Sequence, residues 1–289
     1  MNILDIEYKK LLKYVLDNGE QRPDRTGTGI TSVFSPPDLV IDMSTHFPLL
    51  TSRHIPIKSI THESIWMFCK GSTNIKYLQD NNVKVWNEWA VEDGELGPIY
   101  GSNFRAFQGH KKQQIEYLDQ LQNAINLLKI NKYSRRHLIS GWNPVTIPIE
   151  SLSFQDNYNL GRSVLPQCHG VIIQFYVSNN NGLSMKYYIR SSDLVLGLPA
   201  NCINSGLLLR MVAQVTGYKP HKLIITFGDA HIYNDHLEGV EKLLNTHEVL
   251  DSPTLSINPN ITDIDDFTFE DFIFSEYKYS QKIPFQVSV

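Results

Sequence analysis

The apolar residues of this chain recur with two periods, one typical of helices and one typical of strands. No internal repeat or low-complexity linker separates the segments, so the pattern predicts one domain over residues 1–289. The helical period predicts helices over residues 5–18, 57–68 and 112–130, and a further helix that opens at Leu198 and continues through Val212. Alternating or continuous apolar runs predict strands over residues 30–34, 39–41, 137–142, 168–178, 183–189 and 222–227.

Turn-forming residues mark several ends of these segments. Gly19 is a suitable C-cap for the first helix. The pair Asn181-Gly182 stands between two alternating runs and predicts a β-hairpin. Residues 145–164 are polar, and we expect no regular structure there.

The composition is that of a globular protein with a substantial core. The chain has 289 residues, of which 42% are hydrophobic. Its formal net charge of −4 gives no reason to expect nucleic-acid binding through bulk electrostatics. An anionic ligand must therefore be small and locally held.

Cysteine usage and the N-terminus bear on the compartment. The three cysteines, Cys69, Cys168 and Cys202, have no C-x-x-C spacing, which argues against a disulfide framework or a structural zinc site. The N-terminal sequence lacks a secretory signal pattern, and no apolar run approaches the ~18 residues of a membrane span. We therefore expect a cytoplasmic protein without a membrane partner.

Cys168 is the candidate nucleophile. It follows Pro166-Gln167 at the start of a predicted strand, where a rigid scaffold can present a thiolate to a ligand. A lone cysteine is more often a buried apolar residue, and His169 should point to the opposite face, so it is a poor general base. Arg190 ends the return strand of the hairpin and is expected near Cys168, where its charge would favour the thiolate.

Two basic segments are candidate anion sites. Residues 22–29 combine two arginines with glycines, whose exposed N–H groups could bind a phosphate, although the segment is not a Walker loop. Arg135 and Arg136 form a second basic pair. Each segment taken alone is more often a solvated turn.

Several polar and aromatic residues could serve chemistry or merely the core. Glu63 would be a proton carrier if its helix is buried. Trp86, Trp89 and Tyr100 could wall a pocket for a flat ring.

The residues that follow the predicted strand 222–227 include possible metal ligands. His231, Asp235 and His236 carry suitable side chains but lack a defensible third ligand pattern. A capped helix start with a hydrogen-bonding His and Tyr is the favoured interpretation, and no metal is expected.

Taken together, eight segments resemble the folate-dependent thymidylate synthase family, in that family's order. The resemblance implies an α+β fold around a mixed sheet flanked by helices, a homodimer packed sheet to sheet, and reductive methylation of dUMP with 5,10-methylenetetrahydrofolate. The segments are Asp24–Gly29, Phe47–Leu49, Gly94–Gly101, Ser134–Arg136, Pro166–His169, Arg190–Asp193, Gly197–Asn201 and Gly228–Tyr233.

The resemblance also implies a role for each matching residue. Cys168 would attack C6 of the uracil, and the catalytic group would comprise Cys168, Glu63, Tyr100, Arg190 and Asp193, with Glu63 and Tyr100 serving proton transfers. Asn201 would bind the uracil amide edge. The remaining binding residues would be Arg25, Arg190, Ser191 and the partner subunit's Arg135 and Arg136 for the phosphate, His231 and Tyr233 for the deoxyribose, and Trp86, Asp193 and the Val289 carboxylate for the folate.

Six residues depart from the family's usual pattern. Gln167 stands where a proline is common, Ala200 where a phenylalanine is expected against the folate, and Asn87 where aspartate is usual. Loss of the phenylalanine would leave room for water near the folate. The others are Ile189, Asn204 and Ser205.

Because of these departures, alternatives remain open. If water captured the exocyclic methylene, the product would be 5-hydroxymethyl-dUMP, as in a deoxyuridylate hydroxymethylase. Asn201 argues against a deoxycytidylate hydroxymethylase, whose relatives resemble an aspartate there. A catalytically inactive nucleotide-binding protein and a cysteine hydrolase are alternatives from other classes.

Overall fold

The computed structural model describes residues 2–111, 114–246, 248 and 250–287, with only the backbone at 110 and 111. The strands within these residues are β1 (Glu20–Arg22), β2 (Ile30–Phe34), β3 (Leu39–Asp42), β4 (Phe107–Lys111), β5 (Gln114–Leu118), β6 (Leu138–Ser140), β7 (Ile172–Val177), β8 (Gly182–Asp193), β9 (Lys219–Tyr233), β10 (Leu255–Ile257) and β11 (Phe272–Phe274). The α-helices are α1 (Ile3–Asn18), α2 (Ile57–Ser64), α3 (Lys76–Asp80), α4 (Gly101–Arg105), α5 (Gln120–Ile130), α6 (Phe154–Asn159), α7 (Gly197–Thr216) and α8 (Leu237–Leu244). Helix α2 continues as a π-helical turn over Ile65–Cys69, and short 3₁₀ turns cover Glu92–Gly94, Asn234–His236, Ile264–Asp266 and Phe269–Asp271.

A seven-stranded mixed sheet lies at the centre of the fold. Its order is β1-β2-β9-β8-β7-β6, and β3 pairs with the first half of β9. Strands β8 and β9 run parallel, and the other pairs of this sheet are antiparallel. The parallel register places Asp193 beside His231 and Ser191 beside Asp229, so two polar strand ends lie side by side. An α+β fold with a mixed sheet and flanking helices is confirmed.

Helix α7 connects β8 to β9 and packs against both strands. It is apolar around most of its circumference because α2 covers it on the side away from the sheet. Leu207, Leu208 and Met211 are fully buried there. The two stacked helices therefore form the layer from which polar side chains of α2 and α7 can meet.

The other face of the sheet carries exposed apolar side chains. Along β7 the residues alternate, with Ile173 and Phe175 in the core and Tyr176 70% exposed. Leu138, Ile172, Val40 and Phe34 are also exposed on strands of this sheet. Several exposed apolar side chains on one sheet are typical of an interaction surface, whereas single scattered ones are not.

The predicted helix over 112–130 is wrong in its first half. Residues 114–118 form β5, whose Ile115 and Leu118 are about half exposed rather than in a core. The helix starts anew after Asp119, whose carboxylate accepts a hydrogen bond from the Gln122 N–H at 2.8 Å. The apolar spacing of residues 114–118 fits the helical period as well as a strand, and Asp119 is the N-cap that marks the true start of the helix.

Two further differences concern a loop and a strand end, whereas a predicted hairpin is confirmed. A short helix, α6, occupies part of the segment 145–164, and Ser153 caps it by accepting from the Asp156 N–H. Strand β9 continues through Gly228 to Tyr233, so His231 lies on a strand, and Tyr233 ends that strand directly before the 3₁₀ turn that leads into α8. The hairpin around Asn181-Gly182 is confirmed by the pairing of β7 with β8.

Candidate active site

A cavity of about 790 Å³ opens where β8 and β9 end. Its volume suits a small-molecule site. Arg135 and Arg136 are exposed and do not line it, and Val289 lies outside the described residues. The predicted residues that do line it are Arg25, Glu63, Trp86, Tyr100, Cys168, Arg190, Ser191, Asp193, Asn201, His231 and Tyr233.

Cys168 presents its sulfur to this cavity beside a guanidinium. Arg190 Nη2 lies 3.5 Å from Cys168 Sγ, and the backbone N–H of Arg190 donates to the Cys168 carbonyl at 2.8 Å. Burial raises the pKa of the Cys168 thiol, whereas the charges of Arg190 and Arg25 act in the opposite direction. The predicted proximity of Cys168 and Arg190 is confirmed.

Gln167 braces the loop that carries this cysteine. Its Oε1 accepts from the backbone N–H of Tyr100 at 3.2 Å and from Asn103 Nδ2 at 2.9 Å. Its Nε2 donates to the carbonyls of His169 and Gly170 at 3.1 and 3.2 Å. Every hydrogen-bonding position of this buried amide is therefore used, and the departure from proline has a structural purpose.

The absence of a side chain at Gly141 makes room for that amide. A Cβ atom at Gly141 would lie 2.1 Å from Gln167 Nε2 and 2.5 Å from the Gly170 carbonyl oxygen. The residue at this position must therefore be glycine.

Tyr100 links the brace to the nucleophile. Its backbone has φ +40°, a conformation that non-glycine residues seldom adopt, and Gln167 accepts its N–H. Its hydroxyl accepts from the Cys168 backbone N–H at 3.3 Å. Burial raises the pKa of Tyr100 well above its usual range, so the phenol is protonated at neutral pH.

His169 is not a base for Cys168. Its Nδ1 is hydrogen-bonded to the Tyr187 hydroxyl at 2.7 Å, and its ring stacks on Tyr100 with centroids 4.5 Å apart. Burial lowers the pKa of His169 to about 3. The imidazole is therefore neutral and structural. It is a poor base, as predicted, but not for the predicted reason, because Cys168 and His169 both lie in the loop before β7, which begins at Ile172.

Glu63 is buried at the cavity wall, which was the condition for its proposed chemistry. Trp86 Nε1 donates to Glu63 Oε1 at 2.8 Å, and Asn204 Nδ2 donates to Oε2 at 3.0 Å. Burial raises the pKa of Glu63, and the two hydrogen bonds act to lower it. One departure, Asn204, thus contacts a predicted catalytic residue directly.

His231 is oriented by Asp229, a residue that the sequence analysis left without a role. Their Nδ1 and Oδ1 atoms are 2.6 Å apart, and Asp229 also accepts from the Ser32 hydroxyl at 2.5 Å. Burial favours the protonated acid, but these hydrogen bonds hold the pKa of Asp229 below its usual value. Positions two apart on a strand share a face, so the sequence signal was present.

The glycine-rich segment brings a guanidinium to the cavity rather than free N–H groups. Asp24 accepts from the backbone N–H groups of Thr26 and Gly29, both at 2.7 Å. These contacts form a compact turn in which the neighbouring Arg25 lines the cavity. The expectation that exposed glycine N–H groups bind a ligand is therefore wrong for these N–H groups, because Asp24 already occupies them.

Asn201 and Asp193 flank the start of α7. Asp193 Oδ1 accepts from the backbone N–H of Val195 at 2.8 Å and that of Leu196 at 3.2 Å, which stabilises the turn into the helix. The Asn201 side chain lines the cavity without a protein partner among the described residues. A buried amide in that condition is available to a ligand.

The six residues that depart from the family's usual pattern lie at different distances from the cavity. Ala200 is part of the cavity wall, together with Val287 near the C-terminus. Ser205 donates within α7 to the Asn201 carbonyl at 2.6 Å. Ile189 is buried in the core, and Asn87 is exposed; neither lines the cavity.

Neither a metal cluster nor a membrane-spanning helix occurs within the described ranges. No group of three or more His, Cys, Asp or Glu residues there could hold a metal ion. No helix in the same ranges has both the length and the apolar content to cross a bilayer.

Comparison with known proteins agrees with this geometry. The family model described as thymidylate synthase matches residues 6–289. A thymidylate synthase of Francisella philomiragia subsp. philomiragia is 46% identical over 283 residues, which is 98% of this chain and 99% of that protein. Thymidylate synthases of two Francisella tularensis subsp. holarctica strains, OSU18 and LVS, have the same identity and coverage. The chain belongs to the thymidylate synthase family.

Proposed function

We propose that this chain is a thymidylate synthase, a methyltransferase that converts dUMP to dTMP with 5,10-methylenetetrahydrofolate as one-carbon and hydride donor. The relatives of that name match almost the entire chain. The observation that carries the proposal is the Cys168 thiol, 3.5 Å from Arg190, in a cavity that is also lined by the Asn201 amide, which has no partner in the described part of the chain. Addition to a uracil requires a nucleophile and a polar side chain that hydrogen-bonds the edge of the ring.

The chemistry begins with the thiolate. Sγ of Cys168 bonds to C6 of the uracil, and the electron pair of the C5–C6 double bond makes C5 nucleophilic towards the methylene carbon. Loss of the C5 proton and cleavage of the bond between the methylene carbon and the folate nitrogen would leave an exocyclic methylene on C5. Hydride transfer from the tetrahydrofolate to that carbon would give the methyl group, while the Cys168 thiolate leaves C6, the C5–C6 double bond is restored and dihydrofolate is released. Glu63 and Tyr100 serve the proton transfers, because both lie in the cavity wall and Tyr100 touches the Cys168 backbone.

Residues that line the cavity bind the three parts of the nucleotide. Arg25, Arg190 and Ser191 bind the phosphate, since guanidinium groups suit a dianion. Asn201 pairs with the uracil amide edge, to which an amide offers both a donor and an acceptor. His231, oriented by Asp229, and Tyr233 bind the deoxyribose hydroxyl.

The folate occupies the same cavity as the nucleotide. Trp86 and Asp193 contact it, and the Val289 carboxylate helps to close the C-terminal segment over it. Val287 in the cavity wall supports a role for this segment. The Gln286 carbonyl lies 2.8 Å from His236 Nε2, a contact that holds the segment against the start of α8.

The functional unit is a homodimer formed sheet to sheet. The exposed apolar face of the sheet, with Tyr176 70% exposed, supports this arrangement. Within the described ranges, the buried Thr226 hydroxyl on β9 has no hydrogen-bond partner. Arg135 and Arg136, exposed just before β6, would then reach the phosphate in the partner subunit.

The compartment and the domain count complete the proposal. A cytoplasmic location and a single domain over residues 1–289 remain predictions, consistent with three free cysteines and one continuous buried core among the described residues.

A product assay tests the reaction. Purified protein with dUMP and methylenetetrahydrofolate should form thymidylate and an equal amount of dihydrofolate, followed by mass spectrometry and absorbance. Formation of 5-hydroxymethyl-dUMP without dihydrofolate would contradict the proposal and support the hydroxymethylase alternative. The Cys168→Ser protein is the control: it should form no product and should not trap 5-fluoro-dUMP covalently, because the wild-type adduct requires the thiolate.

A mixing experiment tests the shared site. Cys168→Ser protein and an Arg135→Ala, Arg136→Ala double variant should each be nearly inactive alone. After unfolding and refolding together, a dimer of one chain of each kind has one intact site, so about a quarter of wild-type activity should return. No recovery would mean that the two arginines serve the site of their own chain or none.

A further inference from the structure

Asn204 on α7 contacts Glu63 on α2 where the two helices pack together. It is fully buried, and its Nδ2 donates to Glu63 Oε2 at 3.0 Å. Its Oδ1 accepts from the Ser64 hydroxyl at 2.5 Å. The Ser64 proton also lies within reach of the Ile60 carbonyl at 3.0 Å, but the shorter contact is to Asn204. Ser64 therefore orients the amide with its N–H towards Glu63.

The carboxylate of Glu63 has neutral donors and no cation. Each oxygen accepts one N–H, from Trp86 at 2.8 Å and from Asn204 at 3.0 Å. No basic side chain of the described residues contributes to its electrostatics. A buried carboxylate without a cation depends on its hydrogen bonds to remain charged.

Among the described residues, the neighbouring titratable groups give Glu63 neither a positive charge nor a hydrogen bond. Tyr100 and Tyr187 face Glu63 from the start of α4 and from β8, and burial raises the pKa of both phenols. The His169 imidazole beyond them has its pKa lowered to about 3 by burial. On its own helix, His62 stacks on Phe269 at 4.5 Å. Cys168 shares the cavity wall with Glu63 but makes no hydrogen bond to it.

We propose that Asn204 is a positioning residue that keeps the Glu63 carboxylate ionised and directed into the cavity. A carboxylate must be ionised to accept a proton. The role of Asn204 in the reaction therefore rests on the proposed function, in which Glu63 serves a proton transfer. Without the amide, one oxygen of a buried carboxylate loses its donor, and the protonated acid becomes the favoured form.

The direct test is a titration of Glu63 that does not depend on activity. Protein labelled with ¹³Cδ-glutamate is titrated by NMR, and the Glu63 signal is assigned by its absence from Glu63→Gln protein. In Asn204→Leu, whose side chain has a similar volume and no polar atoms, the midpoint should rise by about one pH unit. An unchanged midpoint in folded Asn204→Leu protein would overturn the proposal.

Two further variants separate this effect from general damage. Asn157→Leu removes another buried amide, one that donates to the Ile149, Leu152 and Ser153 carbonyls and lies outside the cavity wall. It should lower stability and leave the Glu63 midpoint where it is. If Asn204→Leu does not fold, Ser64→Ala frees the amide to rotate and should raise the midpoint by a smaller amount; no rise there would equally overturn the proposal.

Kinetics provides the second readout. The acidic limb of the kcat/KM profile, which reports the free enzyme, should move to higher pH in Asn204→Leu by the same amount as the NMR midpoint, with the KM for dUMP changed by less than about twofold. If the protein proved not to make thymidylate, the proposed function would fail while the NMR titration still decided the role of Asn204. A raised KM with an unshifted pH profile would contradict the proposal.

Discussion

Arg190 contacts Cys168 twice, through Nη2 at 3.5 Å from the sulfur and through a backbone N–H that donates to the Cys168 carbonyl at 2.8 Å. The backbone contact lies beyond the Ile172–Tyr188 pair that ends the β7–β8 ladder, and it holds the loop of Cys168 against β8. The charge that favours the thiolate is therefore on a residue whose backbone is bonded to that of Cys168.

Replacement of this arginine should make the thiol less reactive. In Arg190→Gln the Cys168 pKa should rise by about one unit or more, because burial raises it and the largest opposing charge is removed. The measurement is the pH dependence of iodoacetamide alkylation, followed by mass spectrometry of the Cys168 peptide. Arg162→Gln, outside the cavity wall, is the control. Equal alkylation midpoints for all three proteins would contradict the prediction.

Removal of the Gln167 amide should impair catalysis more than stability alone explains. Gln167→Leu leaves the Tyr100 N–H without its acceptor, at a cost of about 3 kcal/mol in unfolding free energy, and releases Tyr100 from the position in which it meets Cys168. We expect kcat to fall by about tenfold or more. The matched Asn157→Leu variant should lose comparable stability and keep its kcat. Similar kcat values in the two variants would show that the brace serves folding only.

His169 should make the protein sensitive to acid. Its folded pKa, about 3, lies below the unfolded value of 6.5, so its contribution to stability is complete above 6.5 and is lost as the pH falls towards 3. Between pH 6.5 and 5 the wild-type protein should lose about 2 kcal/mol more unfolding free energy than His169→Gln. Denaturant unfolding at fixed protein concentration measures both. The same loss in both proteins would contradict the depressed pKa.

Asn201 should decide which pyrimidine is accepted. Asn201→Asp replaces the amide donor by a group that can accept from a cytosine amine, so the ratio of kcat/KM for dUMP over dCMP should fall by about tenfold or more. Asn201→Ala, which has neither donor nor acceptor, should lose activity without gaining any towards dCMP. An unchanged ratio in Asn201→Asp would refute the proposed role.

Much of the framework follows from periodicity. The first helix, the β7–β8 hairpin and the long helix α7 are local patterns of apolar residues with clear ends, and they form where the sequence predicts. Residues 114–118 do not, because their apolar spacing fits either period and only the partner strand β4 decides between them. Pairing partners lie outside the reach of a local pattern.

The sequence by itself predicted Cys168 as the nucleophile, and the segments that resemble the thymidylate synthase family supplied Arg190, Asn201 and His231, which line the same cavity. Tertiary structure decided what those residues depend on. Gln167 braces Tyr100 from 67 positions away, and Asn204 meets Glu63 across 141. A hydrogen bond between distant residues leaves no periodic trace in one sequence, since it depends on how helices and strands pack and not on what any segment prefers alone.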